Sequence, residues 1–266
     1  MRANLCSLTF LLALTLQITY TTSKHLAERP SFLNPCDYNG ANFDKCFADN
    51  FQLLFSHWHD GVPGLKSLGS LDPLSIKRIK IQQDSGATLN IVAELENMLA
   101  YNASKAIVKK ATLDKSNFEV DATLELPALY AEGNYKVKGT VLGLNINGAG
   151  KCNLEAARIR LNFHLATKLR DEGDLTFSDI VSLKAKILEI GDFHIDVQNL
   201  FGGQRDLEAT ANDLFNQNWR ELFGILSPTL EQTLELVLKD RFTKIYAYVP
   251  ATYFISNMPR ASEFYG

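Results

Sequence analysis

Apolar side chains along this chain recur with two different periods, and the change of period divides it. Over residues 43–58 the positions Phe43, Cys46, Phe47, Phe51, Leu54 and Trp58 fall three and four apart, with Asn50 the polar exception. That spacing predicts an amphipathic helix, ended by Gly61 and Pro63. The stretch from Val62-Pro63-Gly64-Leu65 to Leu71-Asp72-Pro73-Leu74 is turn-rich and predicts a surface segment. Beyond it the period becomes two. Leu89, Ile91, Ala93 and Leu95 form one alternating set, Val120, Ala122, Leu124 and Leu126 a second, and Tyr135 and Val137 a third. The third resumes as Leu142, Leu144 and Ile146, and the slip at Val141-Leu142, beside Gly139 and Gly143, predicts a β-bulge in a bending strand. Ile159, Leu161, Phe163 and Leu165 alternate next, then Phe193, Ile195 and Val197.

Strands with one apolar face imply an antiparallel sheet with a single side to cover. Gly133-Asn134 and Asp171-Glu172-Gly173-Asp174 read as hairpin separators. The cover comes from the C-terminal third, where Leu207, Ala211, Leu214, Phe215, Leu222, Phe223, Leu226, Leu230, Leu234, Val237 and Phe242 keep helical spacing. A continuous helix of about forty residues would be about 60 Å long. Ser227-Pro228 interrupts it, so that Pro228 either kinks one helix or opens a second one capped by Ser227. Glu235 and Lys239 are spaced for an ion pair, and Lys239, Arg241 and Lys244 fall where a helix C-terminus favours cations. No flat sheet of ordinary strands covers a helix of that length. The expected fold is therefore α+β: a strongly curved antiparallel sheet wrapped around a long C-terminal helix, with the N-terminal helix closing one end.

The first residues read as an address. Arg2, the apolar stretch over residues 5–16 and the small polar run Thr19-Tyr20-Thr21-Thr22-Ser23 predict a secretory signal peptide over residues 1–23, cut before Lys24. The apolar stretch is too short for a bilayer core of ~30 Å, which leaves a signal anchor as the rival reading. The mature chain, residues 24–266, is then one soluble extracellular domain. Over all 266 residues, 30 acidic and 27 basic side chains give a net charge of −3, and 46% hydrophobic residues with 21% charged is globular composition, which excludes a disordered or fibrous chain. That balance offers no electrostatic basis for binding nucleic acid or an anionic membrane. Outside the cell thiols pair. Cys6 leaves with the signal, and Cys36 and Cys46 flank Asp37-Tyr38-Asn39-Gly40, whose turn lets the chain double back into a disulfide. Closing so short a loop stabilises by about 2–3 kcal/mol. Cys152 remains, and a buried unpaired thiol is favoured over an intermolecular bridge. Asn102-Ala103-Ser104 is a glycosylation sequon.

Catalytic candidates are few. Gly64-Leu65-Lys66-Ser67-Leu68-Gly69 is one residue too long for a nucleophile elbow, and no strand feeds into it. Gly148-Ala149-Gly150-Lys151 resembles the end of a phosphate loop, but Asn145 stands where the first glycine belongs and Cys152 replaces the magnesium-binding hydroxyl, so a glycine-rich hairpin is the reading. His57 and His59 face different sides of a helix with no third ligand near, and His164 and His194 fall on polar strand faces. Neither a metal nor a cofactor is implied. The large apolar residues Phe47, Phe51, Leu54 and Trp58, the inward strand positions, and Leu214, Phe215, Trp219 and Leu222 fill a core or line a tunnel. Periodicity alone favours the core.

Several further signatures occur in a specific order: Cys36 and Cys46, Gly61-Val62-Pro63, Leu71-Asp72-Pro73-Leu74, Pro127-Ala128-Leu129, Gly133-Asn134-Tyr135, Gly139, Gly148-Ala149-Gly150, Asn199-Leu200-Phe201-Gly202-Gly203, Asn212, Asn216 and Asn218-Trp219. In these the chain resembles the takeout and haemolymph juvenile-hormone-binding family of insect secreted proteins. Gly202 stands where family members often carry asparagine. The resemblance implies a sheet wrapped around a long helix, similar to one half of the bactericidal-permeability-increasing fold. It also implies an internal tunnel for one elongated apolar ligand, a juvenile-hormone-like terpenoid or a fatty-acid-like lipid, carried by a monomer without enzymatic activity. That raises the tunnel above the solid core, with Phe47, Phe51, Leu54, Trp58, Val137, Phe163, Phe193, Leu214, Phe215, Trp219 and Leu222 as its expected lining. Hormone-specific members tend to have a second disulfide. Cys152 has no partner for one, so the chain resembles the takeout branch.

Overall fold

The structure, a computed structural model, describes residues 24–86 and 88–266, so the signal peptide read over residues 1–23 lies outside the described residues. In chain order the elements are β1 (Cys36–Asp37), α1 (Phe43–His57), β2 (Leu74–Ser85), β3 (Leu89–Tyr101), β4 (Ile107–Asp114), β5 (Glu119–Val141), β6 (Leu144–Glu172), β7 (Leu175–Glu189), β8 (Asp192–Val197), α2 (Arg205–Gln217), α3 (Trp219–Tyr248), β9 (Ile255–Ser256) and α4 (Ala261–Tyr265). Seven strands form one antiparallel sheet in the order β2-β3-β5-β6-β7, with β4 also paired to β5 and β8 to β6. It curls as a half-barrel about the C-terminal helix, with α1 at one end, the expected α+β architecture.

The curl is built on β5 and β6. Strands of 23 and 29 residues would extend about 75–95 Å at ~3.3 Å per residue. They pair along β5's whole length, from Glu119 opposite Ala166 to Val141 opposite Leu144. Each changes its outer neighbour midway. β5 meets β4 as far as Glu125 and β3 from Tyr130 onward; β6 meets β8 over residues 152–157 and β7 from Arg160 onward. The exchange falls at Pro127, which has no amide hydrogen for the ladder, and at Arg158, held at φ 51°. This seam divides the molecule into two ends.

Three readings of the strands are corrected. Gly133-Asn134 is no hairpin but lies inside β5, which joins two of the alternating sets into one strand. Gly133 is needed there because Met98, at the bulge in β3, packs where its Cβ would be. Val141 and Leu144 face each other across Leu142 and Gly143, at φ 49° and 80°, so the slip is a two-residue hairpin and not a bulge. Gly148 and Gly150 sit inside β6. A Cβ on Gly148 would lie 2.7 Å from the Leu200 Cα, so glycine lets residues 198–200 lie flat on the strand. Strands β2, β4 and β7 were not anticipated.

The terminal helix also differs from expectation. The break falls at Asn218, which ends α2 by donating both its backbone N–H and its Nδ2 to the Leu214 carbonyl. Pro228 lies inside α3 and neither caps nor opens a helix. It leaves the Gly224 carbonyl without its i+4 amide donor, and Ser227 Oγ donates to that carbonyl at 3.4 Å. Glu235 and Lys239 do not pair with each other. Glu235 accepts from the Ala185 amide and Lys184, and Lys239 donates to the Val181 carbonyl. α3 runs on to Tyr248, so no cation occupies its last turn.

These polar side chains close the sheet's edges, which would otherwise expose unpaired amides. Asn212 and Asn216 on α2 each use the amide side chain as a substitute strand, accepting from and donating to Val197 and Ile195 of β8 at 2.8–3.0 Å. Glu231 and Glu235 accept from Ile187 and Ala185 of β7. Gln52 of α1 accepts from the Val108 amide and donates to the Ala106 carbonyl beside β4.

Candidate ligand-binding site

Two large core clusters lie on either side of the seam. At one end Phe43, Phe47 and Phe51 of α1 meet Leu113, Val120, Phe163 and Leu183 of the sheet, with Leu234, Leu238, Phe242 and Tyr246 of α3 packed against them. At the other, Ile91, Tyr135, Ile146 and Val197 meet Ala211 and Phe215 of α2, with Leu222, Ile225 and Leu226 of α3 beside them. α3 is about 45 Å long at 1.5 Å per residue, so its two halves serve different clusters.

Apolar cavities open in the α1 end. The three-and-four spacing of α1 turns Phe47, Phe51 and Leu54 inward. With Phe118, Tyr246, Phe254 and Met258 they enclose a lobe of about 70 Å³. A second lobe, of about 120 Å³, lies between Trp58, Leu238 and Phe242. Phe51, Leu54, Ile245 and Tyr246 line both, forming a common wall. Apolar cavities of roughly 150 Å³ stay dry and accept a benzene-sized guest.

The chain's termini seal this end. Cys36 and Cys46 are disulfide-bonded, Cys36 donates its amide to Phe254, and β1 pairs in parallel with β9. Asp171 caps the short α4 by accepting from the Ala261 and Ser262 amides at 3.0 and 3.2 Å, which holds its carboxyl near a pKa of about 2.

Polar groups face the larger lobe at its rim: His59, Asp72, Ser104 and Arg241. Asp72 accepts from the Asn102 amide at 2.9 Å and from the amide and hydroxyl of Ser104 at 3.0 and 2.5 Å. Ser104 thus donates to a carboxylate and not to a histidine, while His59 Nδ1 lies 3.1 Å from Asp60. A serine, a histidine and an aspartate share this lobe, but they form no nucleophile–base chain. Tyr246 keeps part of its surface accessible, yet burial pushes its hydroxyl up to about 12. Its ring lines both lobes.

Of the residues expected to line a tunnel, the structure brings Phe47, Phe51, Leu54 and Trp58 together around the lobes. Phe163 is buried in the same cluster without reaching either lobe, and Val137, Phe215 and Leu222 belong to the opposite cluster. Phe193 and Trp219 pack ring to ring at 5.8 Å outside both, and Leu214 is half-buried on α2. Sequence reasoning missed Leu113, Phe118, Ile245, Tyr246, Phe254, Ile255 and Met258. Helical spacing continued past Phe242 would have reached Ile245 and Tyr246, whereas the two-residue β9 carries no period at all. Cys152 is a buried free thiol within the second cluster, and burial raises its pKa. Asn102 is half-buried at the start of a short turn. Among the described residues no three metal-ligating side chains converge, and no helix is long and apolar enough to cross a membrane.

Residues 10–256 match the family described as haemolymph juvenile hormone binding protein. The Circadian clock-controlled protein daywake of Drosophila yakuba is 20% identical over 215 residues, 78% of this chain and 82% of that protein. Its Drosophila melanogaster counterpart is 20% identical over 229 residues, 83% of this chain and 86% of that one. The crystal structure of Takeout 1 from Epiphyas postvittana superposes with a TM-score of 0.73 at 17% identity, over 84% of this chain and 100% of that one, a likeness of fold.

Proposed function

The chain belongs to the haemolymph juvenile hormone binding protein family, and from that premise we propose that it is a secreted, monomeric, non-enzymatic carrier of one elongated apolar small molecule. The guest is a terpenoid or fatty-acid-like lipid, and it lies between α1, the second half of α3 and the sheet. The observation that carries this reading is the pair of apolar lobes that share Phe51, Leu54, Ile245 and Tyr246 as a wall. Rotation of Phe51 and Leu54 merges two short lobes into one channel, so an aliphatic chain threads between them. Hiding roughly 400 Å² of hydrocarbon at about 25 cal/mol/Å² is worth about 10 kcal/mol, against about 4 kcal/mol or more of ordering. The remaining ~6 kcal/mol corresponds to a Kd of tens of micromolar, suited to pick-up and release.

The test is displacement of an apolar fluorescent probe by long-chain lipids, with native mass spectrometry of the secreted protein for stoichiometry. One guest per chain is expected. Failure to displace the probe, with no extractable lipid, removes the carrier reading. It would favour a secreted signalling or surface-interaction module, for which the deep burial of Ala211 and Phe215 in the α2 end is the supporting observation. Secretion is checked in the same sample by the N-terminus, expected at Lys24, and glycosylation by the mass at Asn102.

A further inference from the structure

The outward stripe of α3 is short of charge for a helix that meets water. From residue 224 to residue 236 its exposed positions are Gly224, Pro228, Gln232 and Leu236, one per turn and none ionised. Leu236 stands 74% exposed, and Val181, skipped by the ladder where β7 bulges, is 57% exposed on the neighbouring strand. On the other flank of the stripe an open groove of about 590 Å³ runs between α3 and the segment 66–77. Lys66, Lys77, Arg241 and Lys244 line it, with Asp240 the one acid among them. Asp240 is engaged by Lys244 at 2.8 Å, whereas Lys66 and Lys77 meet no acid among the described residues. The larger apolar lobe lies behind this groove. A single pass of chain separates the two: Leu71, Asp72 and Leu74 border the lobe, Pro73 and Ser75 border the groove, and Arg241 borders both. Arg241 pins that strap to α3 by donating to the Leu68 and Ser75 carbonyls at 2.6 and 2.8 Å.

We propose that this face docks on the surface of an anionic phospholipid bilayer, with Leu236 set among the headgroups and Lys66, Lys77 and Lys244 meeting lipid phosphates. The bilayer then lies one strap away from the larger lobe, and the guest is exchanged with it. The proposal rests on the carrier reading and names the partner that supplies or receives the guest. An apolar centre with a basic rim suits the headgroup boundary, where burial of hydrocarbon and attraction to phosphate act together. An acidic peptide accounts for the lysines but not for an uncharged helix stripe that ends in a protruding leucine. The negative net charge of the chain does not oppose the contact, because charges further than ~8 Å away are largely screened at physiological salt.

The test uses the full mature chain loaded with an apolar naphthylamine probe. It is mixed with vesicles of phosphatidylcholine alone, or of phosphatidylcholine and phosphatidylglycerol in equal parts. Co-sedimentation should show binding to the mixed vesicles about tenfold or more tighter than to the neutral ones, and ~1 M salt should abolish the difference. The double variant Lys66→Gln/Lys77→Gln should lose about tenfold in affinity for the mixed vesicles. Leu236→Gln should lose several-fold on the same vesicles. Both variants should slow transfer of the probe to mixed vesicles and keep its affinity in solution, since none of the three residues borders a lobe. Equal binding to the two kinds of vesicle, or no loss in either variant, overturns the docking surface and leaves the carrier intact. Soluble polyglutamate bound as tightly as the mixed vesicles, and unaffected by Leu236→Gln, assigns the face to an acidic peptide. A dimer that Leu236→Gln dissolves, seen by sedimentation velocity, assigns it to a second copy of the chain. Either result overturns the proposal. If the probe does not bind the unaltered chain at all, the carrier reading fails, and co-sedimentation alone decides the docking.

Discussion

The two ends of the curled sheet are laid on the same pair of long strands, and a helix docks on each by the same device. Asn212 and Asn216 tie α2 to β8, and Gln52 ties α1 beside β4. What differs is the filling. Under α2, branched aliphatic residues close up around Ala211 and Phe215, which are 0% and 7% exposed. Under α1, rigid rings meet one another: Phe43 and Phe47 at 5.8 Å, Phe51 and Phe55 at 5.8 Å, Phe242 and Tyr246 at 6.3 Å. Rings converging from α1, α3 and the tail border both apolar lobes there. Whether an end is solid or hollow thus depends less on the strands than on what is laid over them.

That contrast makes opposite truncations unequal. Phe215→Ala, in the filled end, should destabilise by about 3–5 kcal/mol because a full ring's contacts are lost and little can collapse. Leu54→Ala, on a wall that already borders empty space, should cost about 2 kcal/mol, near the bottom of its class. Urea unfolding of both variants checks the difference, and equal costs would break the comparison. The disulfide comes next. Replacing Cys36 and Cys46 by serine should cost about 2–3 kcal/mol. It should also weaken probe binding, because β1 holds β9 and hence Phe254 and Ile255 on the wall of the smaller lobe. Loss of stability with binding unchanged would mean that the seal does not matter to the hollow end.

How much of this was legible follows from where the period survives. α1 was readable because its ring positions keep helical spacing up to Gly61 and Pro63, and with it four of the residues around the lobes. The inward faces of β5 and β6 were readable in pieces, but Gly133 and Asn134 look like a turn when the real cause of the glycine, Met98 across the sheet, is far away in sequence. β4 was missed because a register shift between Val108 and Lys110 breaks its alternation. In α2 and α3 the helical stripe was legible, but the break at Asn218 was not, since a proline is the louder signal. Tyr246 and the tail residues Phe254 and Met258 acquire meaning only once four separate elements converge.

The shared docking device supports a smaller and sharper test. Asn216→Ala should cost about 1–3 kcal/mol by leaving the amide and carbonyl of Ile195 without partners. Gln52→Ala should cost a similar amount at the Val108 amide and Ala106 carbonyl. The two should part in kinetics. Only Gln52→Ala loosens the helix whose rings form the cavity wall, so only it should speed probe release in stopped-flow exchange. Faster release from Asn216→Ala would mean that the two ends move as one.

Acid provides the mildest separation of the ends. Asp171 accepts from the amides of Ala261 and Ser262 and from Thr176 Oγ1, with Arg260 3.6 Å away, and the Ala261 amide does most to hold its pKa down to about 2. A carboxyl depressed in the folded state contributes its stability above the ordinary carboxylate range and loses it as pH falls from about 4 toward 2. What loosens then is α4, where Phe264 rests on Phe118 at 4.8 Å, together with Met258 on the wall of the smaller lobe. β8 is held to α2 chiefly by the amides of Asn212 and Asn216, which do not titrate and pair with backbone groups, with Asp196 Oδ1 a more distant acceptor 3.5 Å from Asn212 Nδ2. Between pH 6 and pH 3, hydrogen exchange corrected for intrinsic rates should therefore rise over residues 255–265 before it rises over residues 205–217. Asp171→Asn should show the raised exchange at both pH values, because an amide cannot accept from both helix N–H groups with a carboxylate's charge. If both segments open together on acidification, the hollow end is no less firmly sealed than the filled one, and the tail is not the element that guards it.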